Sequence, residues 1–267
     1  MFSAEKERIR GYWNGRAAAY SREFGHGFFD GSEPTLWSNL LQRNLPVRPG
    51  AQALDLGTGP GFMALTLHDL GFRVTALDVS EEMLKVAADN AARRGATVEF
   101  RQGDAENPPF APESFDLVIC RHLTWTLTNL PRSLSTWKGL LRPDGVLAVI
   151  DGVWGSSTGP ARVRRLAADA VKALKDKKWP GDWRKSYVSD TRTLPYLDGL
   201  QPELVVEALA ARGFENIRHD PLPDVIRHER RFAPLEYRIR HFGSPRYLIA
   251  GTSTSRGGAC ASQAALL

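Results

Sequence analysis

Three glycines and a series of carboxylates are spaced along this chain in a way that could hold a small charged ligand. Gly57, Gly59 and Gly61 lie in LDLGTGPG (54–61), with Asp55 just ahead of them and Thr58 among them. Glycines let a backbone turn tightly and approach a ligand, and the N-terminus of a following helix offers unpaired N–H groups. Asp78 closes the next apolar run, with Val79 after it, about 20 residues beyond Gly57, where an acid can take ribose hydroxyls. Gly103, Asp104 and Ala105 follow in QGDAENPPF, where a carboxylate could address an adenine ring. A glycine-rich turn alone often just connects two elements, and a lone acid is more often a loop or cap residue. Together and in this order they point to an adenosine-containing cofactor. The spacing is G-x-G-x-G rather than the dinucleotide G-x-G-x-x-G. Asp55 would repel a pyrophosphate but suits a ligand carrying an ammonium group.

A second cluster is RHLTWTL (121–127), after the apolar run FDLVIC. Histidine is the side chain that most readily exchanges a proton near neutral pH. The favoured reading of His122 is nevertheless a packed, hydrogen-bonded residue beside the cofactor. Substrate contact comes second and general base third. Arg121 borders the same position. Trp125 is either helix packing or a substrate wall. Asp151, ending a later apolar run, could orient a cationic or hydroxylated substrate or cap a turn, and Trp154 follows it. Tyr12, Trp13 and Tyr20 near the N-terminus, and Trp179, Trp183, Tyr187 and Tyr196 farther on, could enclose a substrate or simply pack helices together.

These residues need a frame. AQALDLG (51–57), RVTALDVS (73–80), TVEFRQGD (97–104), FDLVIC (115–120) and GVLAVIDG (145–152) read as strands separated by helical segments. That alternation predicts βαβ units and a parallel sheet covered on both faces. Ser80 is placed to cap the helix 80–95 and Gly95 to end it. Ser3 is a simple N-cap for a first helix. A helix over 201–214 and strands in ENIRHDPLP and RYLIAGTS (246–253) complete the pattern. The whole chain reads as a single domain: a helical lid (1–45), a cofactor-binding core (46–155), a substrate-cap insertion (156–200), a C-terminal helix and strands (201–255) and a disordered tail (256–267).

The chain has 267 residues, 24% charged and 42% hydrophobic, a composition expected of a soluble globular protein. No run approaches the roughly 20 apolar residues of a membrane span, and MFSAEKERIRGYW has no apolar segment of a secretory signal. With two cysteines, Cys120 and Cys260, neither a disulfide framework nor a metal site is expected, and a cytoplasmic location is. The net charge of +5 gathers in 172–185 and 227–241. These stretches read as solvated basic faces in preference to a nucleic-acid site.

The set LDLGTGPG, ALDVSEEML, GDAENPPF, SFDLVICRHLTWTL and LLRPDGVLAVIDG resembles the class I S-adenosylmethionine-dependent methyltransferases over roughly residues 46–152. The resemblance implies a Rossmann-like, doubly wound seven-stranded sheet with its last strand antiparallel. It implies S-adenosyl-L-methionine as cofactor and methyl transfer to N or O of a small molecule. Asp55, Gly57 and Gly59 would contact the methionine part and Asp78 the ribose, while Asp104 and Ala105 flank the adenine. Met83 would pack on the adenine or serve as a helix core residue. Pro60 departs from many members and should stiffen the loop. A monomer or homodimer is expected, with no membrane. An RNA or protein methyltransferase, or a non-catalytic cofactor-binding module, are the alternatives.

Overall fold

The computed structural model describes residues 3–26, 32–154, 159–177, 179–180, 187 and 194–254. Seven strands form one sheet in the order β3-β2-β1-β4-β5-β7-β6. They are β1 (Gln52–Leu56), β2 (Arg73–Asp78), β3 (Val98–Gln102), β4 (Phe115–Arg121), β5 (Leu141–Gly152), β6 (Phe214–Asp220) and β7 (Arg246–Ser253). The β1–β5 pairings are parallel, whereas β7 runs antiparallel to both β5 and β6. The strand order reverses between β1 and β4, and an open α/β sheet binds its ligands at such a crevice, outside the carboxyl ends of its strands.

Buried apolar residues cover both faces of the sheet. On one face Trp37, Leu40 and Leu41 of α2 (Ser32–Asn44) join Met63 and Leu67 of α3 (Phe62–Asp69). On the other, Leu134 and Trp137 of α5 (Leu130–Leu140) meet the helix Pro202–Ala210. Burying one such side chain contributes about 1.5–3 kcal/mol before ordering costs. β1 is buried along nearly its whole length, which explains its unalternating apolar sequence.

The helices start and stop where their local chemistry dictates. In α4 (Glu81–Arg94) the Ser80 hydroxyl accepts from the Met83 N–H at 3.1 Å, Glu81 and Glu82 occupy the first turn, and Gly95 closes the helix at φ +63°. The acids complement the positive end of the helix dipole. α1 (Ala4–Tyr20) is capped by Ser3 accepting from Lys6 N–H. It lies against α4, where Asn14 Oδ1 accepts from Ser80 Oγ at 2.7 Å.

Several boundaries differ from the sequence reading. The strand predicted over 145–152 begins at Leu141, because LRPDG continues the pairing through a register shift opposite Phe115–Leu117. The helix predicted to reach Phe214 ends at Ala210, and Phe214 opens β6. The basic stretch 227–241 exposes its arginines Arg227, Arg230, Arg231 and Arg238, as the sequence reading expected. It falls in two helices, Pro223–Phe232 and Leu235–Arg240, with Val225 and Ala233 buried. Trp183, Cys260 and the predicted tail lie outside the described residues. Among the described residues no helix is long and apolar enough to cross a membrane.

Candidate active site

The carboxyl ends of β1, β2, β3 and β4 open onto a cleft. Its floor is the glycine turn after β1. Gly57, Gly59 and Gly61 all have positive φ, at +67°, +54° and +88°, a region that side-chain-bearing residues enter at a cost. A Cβ on Gly57 would also come within 2.7 Å of the Leu123 side chain. Asp78 ties the turn to the next helix: its Oδ2 accepts from Gly59 N–H at 2.8 Å and its Oδ1 from Ser80 N–H at 2.9 Å. Burial pushes the Asp78 carboxyl up to about 6 against these hydrogen bonds. Asp55 lies beneath the turn, accepting from Thr58 Oγ1 at 2.6 Å, and burial raises it to about 7. Both acids therefore bear a desolvation cost that a nearby cation or hydroxyl donor would offset.

The far wall comes from α1. Lys6 Nζ lies 3.1 Å from Asp104 Oδ1 and 2.5 Å from Glu106 Oε1. Burial alone would raise Glu106, but Lys6 and the Thr128 hydrogen bonds hold it below its ordinary value. Glu106 thereby joins α1 to the turn before α5, through Thr128 N–H and Oγ1 at 2.8 and 2.7 Å. Trp137 fixes the neighbouring backbone by donating to the Ala105 carbonyl at 2.6 Å.

Arg121 and His122 line this cleft and also a second, smaller cavity. This chamber is walled by Phe24 and His26 after α1, by Glu33 and Trp37 of α2, and by Glu229 and Tyr237 between β6 and β7. The Arg121 guanidinium packs against the edge-to-face pair Trp37 and Phe62, 4.6 and 4.7 Å from their centroids. Its Nη2 donates to the Gly25 carbonyl, while the buried Nε has no partner. Burial lowers its pKa, opposed by Glu33 and Tyr20.

His122 sits at φ +56°, a conformation uncommon outside glycine. Its N–H donates to the Ile150 carbonyl at 2.9 Å. The ring meets His26 and Trp154 edge to face, at 5.3 and 4.6 Å. Burial, then the Arg121 charge and His26, depresses its pKa well below the ordinary value. It is therefore neutral near pH 7 and a weak proton acceptor. A second arginine, Arg246, stacks on Trp154 at 4.2 Å and pairs with Glu229 at 3.3 Å, and Tyr237 donates to that carboxylate at 2.9 Å.

The structure brings Trp13, Tyr20, Gly57, Gly59, Asp78, Val79, Met83, Asp104, Ala105, Arg121 and His122 onto the cleft lining. Asp55, Thr58, Gly61 and Gly103 stand behind that surface. Asp151 borders the chamber, but both its oxygens are engaged. Oδ2 accepts from Thr124 N–H and Oγ1, and Oδ1 from Gly152 N–H and Trp154 Nε1. It thus fastens the 124–126 turn and the Trp154 ring, the turn-capping alternative raised from sequence. Tyr12, Trp125 and Tyr187 form an aromatic cluster with Trp13 above the cleft. Tyr196 instead packs on the sheet core, and Trp179 is exposed. Sequence reasoning missed Lys6, Ile9 and Leu127 on the cleft, and the wall built from Glu229, Tyr237 and Arg246. The Lys6 position in α1 carried no motif. The β6–β7 wall lay inside a stretch whose charges dominated its reading.

A doubly wound sheet with its last strand antiparallel, and an acid-lined cleft at its switch point, defines a nucleoside-cofactor fold. A family described as "Methyltransferase domain" matches residues 54–149. The chain is 30% identical to nocamycin O-methyltransferase of Saccharothrix syringae, over 72% of this chain and 70% of that protein. It is 35% identical to malonyl-[acyl-carrier protein] O-methyltransferase of Enterobacter lignolyticus, over 73% and 71%. Its fold is similar to phosphoethanolamine N-methyltransferase 2 of Haemonchus contortus in complex with S-adenosyl-L-methionine, with a TM-score of 0.64 at 18% identity, covering 92% of this chain and 60% of that one. The chain belongs to the class I S-adenosylmethionine-dependent methyltransferases.

Proposed function

We propose that this protein moves the methyl group of S-adenosylmethionine to an oxygen or nitrogen of a small molecule held in the chamber beside the cofactor cleft. One observation carries the reading: two cavities meet at a shared wall of Arg121 and His122. The cofactor supplies an activated methyl on a sulfonium centre. The protein's task is then to align the acceptor and exclude water. Asp78 would take the ribose hydroxyls, Asp104 and Ala105 the adenine edge, and Met83 its face. Gly57 and Gly59 would admit the methionine part, with Asp55 supporting it through Thr58. α1 and the aromatic cluster around Tyr187 would act as a lid over the whole single domain. His122 would position the acceptor rather than take its proton, because its imidazole is depressed.

The O-methyltransferase names of the two sequence relatives support oxygen over nitrogen. The 223–240 helices turn Glu229 and Tyr237 into the chamber and Arg227, Arg230 and Arg231 outward, so RNA is the alternative acceptor. Methyl-labelled cofactor incubated with a metabolite extract, total RNA and a protein lysate in separate tubes tests the reading. Label should pass to the low-mass fraction. Label confined to RNA or protein, or no S-adenosylhomocysteine formed anywhere, contradicts it.

A further inference from the structure

The two buried arginines of the chamber differ in one respect that bears on the acceptor. Arg246 is neutralised: Glu229 lies 3.3 Å from its Nε, and Tyr237 Oη is 3.4 Å from its Nη2. Arg121 is not. Among the described residues no carboxylate lies within 4 Å of its guanidinium; Nη2 is satisfied by the Gly25 carbonyl, and the buried Nε has no acceptor. Glu33 acts on it only at longer range. Trp37 and Phe62 pack against the guanidinium from two neighbouring sides, 4.6 and 4.7 Å from their centroids, and hold it away from solvent. A buried cation is retained at a cost unless a partner arrives. A planar fork of N–H donors suits the paired oxygens of a carboxylate or phosphate, and of the two a carboxylate oxygen is the one a methyl sulfonium alkylates to give a carboxylic ester.

We propose that Arg121 receives the carboxylate of a carboxylic-acid acceptor, and that this protein's substrates are small organic acids. The proposal rests on the methyltransferase reading and names its substrate class. Arg121 lines the cleft and the chamber alike, so an acid bound to it lies at the boundary that the methyl must cross. Such an acceptor arrives deprotonated. A carboxylate oxygen forms the new C–O bond as the methyl C–S bond breaks with its electron pair on sulfur, and no proton moves. This agrees with a site whose nearest imidazoles, His122 and His26, are both held neutral by burial. It also accounts for the charge pattern. Glu229 in the chamber is occupied by Arg246 and Tyr237, and Asp151 by its four donors.

The test uses the full-length protein and simple probes. Calorimetry first measures S-adenosylhomocysteine binding. With that ligand saturating, benzoate and phenylacetate are titrated against benzamide and phenylacetamide, their neutral counterparts in shape. The acids should bind more tightly than the amides by on the order of ten-fold. With S-adenosylhomocysteine saturating each variant, Arg121→Gln should erase the preference and Arg121→Lys should restore part of it. Contacts between 4-fluorobenzoate and the Trp37 or Phe62 rings, read by fluorine–proton NOEs in the wild type, locate the anion even if a variant fails to fold. Failure to bind S-adenosylhomocysteine removes the methyltransferase reading and this proposal with it. Binding of S-adenosylhomocysteine with equal affinity for acids and amides, or a preference untouched by Arg121→Gln, overturns the proposal alone.

Discussion

The cofactor cleft and the chamber beside it share a wall of Arg121 and His122 but hold their buried charges differently. On the cleft side the buried ionisable groups are acids, Asp78 and, beneath the turn, Asp55, held by backbone N–H groups and a threonine hydroxyl. On the chamber side Arg246 is paired with Glu229 and Asp151 is held by four donors, while Arg121 and the neutral imidazoles of His26 and His122 are set among aromatic rings. The buried acids beneath the glycine turn suit a ligand that carries an ammonium and a sulfonium, whereas in the chamber the carboxylates Glu229 and Asp151 are already engaged by other groups. The difference shows how one sheet edge can hold an electrophile and a nucleophile side by side. The cleft is assembled from residues adjacent to strand ends, the chamber from segments far apart in the chain.

The largest effect should come from breaking the neutralised arginine. Glu229→Gln leaves the Arg246 charge buried and alone, which should cost on the order of 3 kcal/mol in chemical denaturation. Arg121→Met removes a charge that has no carboxylate partner, so cofactor-free stability should change by less than about 1 kcal/mol, the lost cation–π contacts offsetting the relief. Equal losses in the two variants would erase the distinction between the arginines.

Next in size is Asp78→Asn on the cleft side. It keeps an acceptor for one N–H but loses the charge, and should weaken S-adenosylmethionine binding by roughly 10- to 100-fold. Affinity within about two-fold of wild type would remove Asp78 from the cofactor site. His122→Ala should lower turnover by about ten-fold while leaving cofactor affinity nearly unchanged, as expected of a positioning residue rather than a base, whose loss costs 10²–10⁴.

Acid titration sharpens the comparison with the smallest effects. Asp55 has a folded pKa raised to about 7, so it destabilises the fold once ionised. Relative to Asp55→Asn, the wild type should lose stability as pH rises from about 4 and level off above about 7. His241 has its folded pKa lowered to about 3, through burial and then Arg246 and Arg240. Relative to His241→Gln, the wild type should be at its best above about 6.5 and lose stability as pH falls through 6 and 5. The two difference curves should therefore slope in opposite directions between pH 4 and 7. Slopes of the same sign would contradict the assigned charge states.

The same contrast governs how much could be read in advance. The sheet and its order-defining strands were legible because each glycine, acid and cap of the cleft sits within a few residues of an apolar run. Gly57, Asp78 and Ser80 announce themselves locally. The chamber was not legible, because its wall joins residues such as Phe24, Trp37, Glu229 and Arg246, and nothing within the stretch 223–246 marks which polar groups turn inward. Lys6 was hidden for the same reason: its partner Glu106 lies 100 residues away. Asp151 was legible as a strand-end acid, but only its four hydrogen-bond donors reveal that it fastens a turn.

A crystal structure of the S-adenosylhomocysteine complex tests the two-compartment account most directly. The account predicts the ribose on Asp78, the adenine beside Asp104 and Met83, and the sulfur facing the wall formed by Arg121 and His122, with the chamber beyond it still open. A sulfur directed away from that wall, or a ligand that fills the chamber itself, would contradict it.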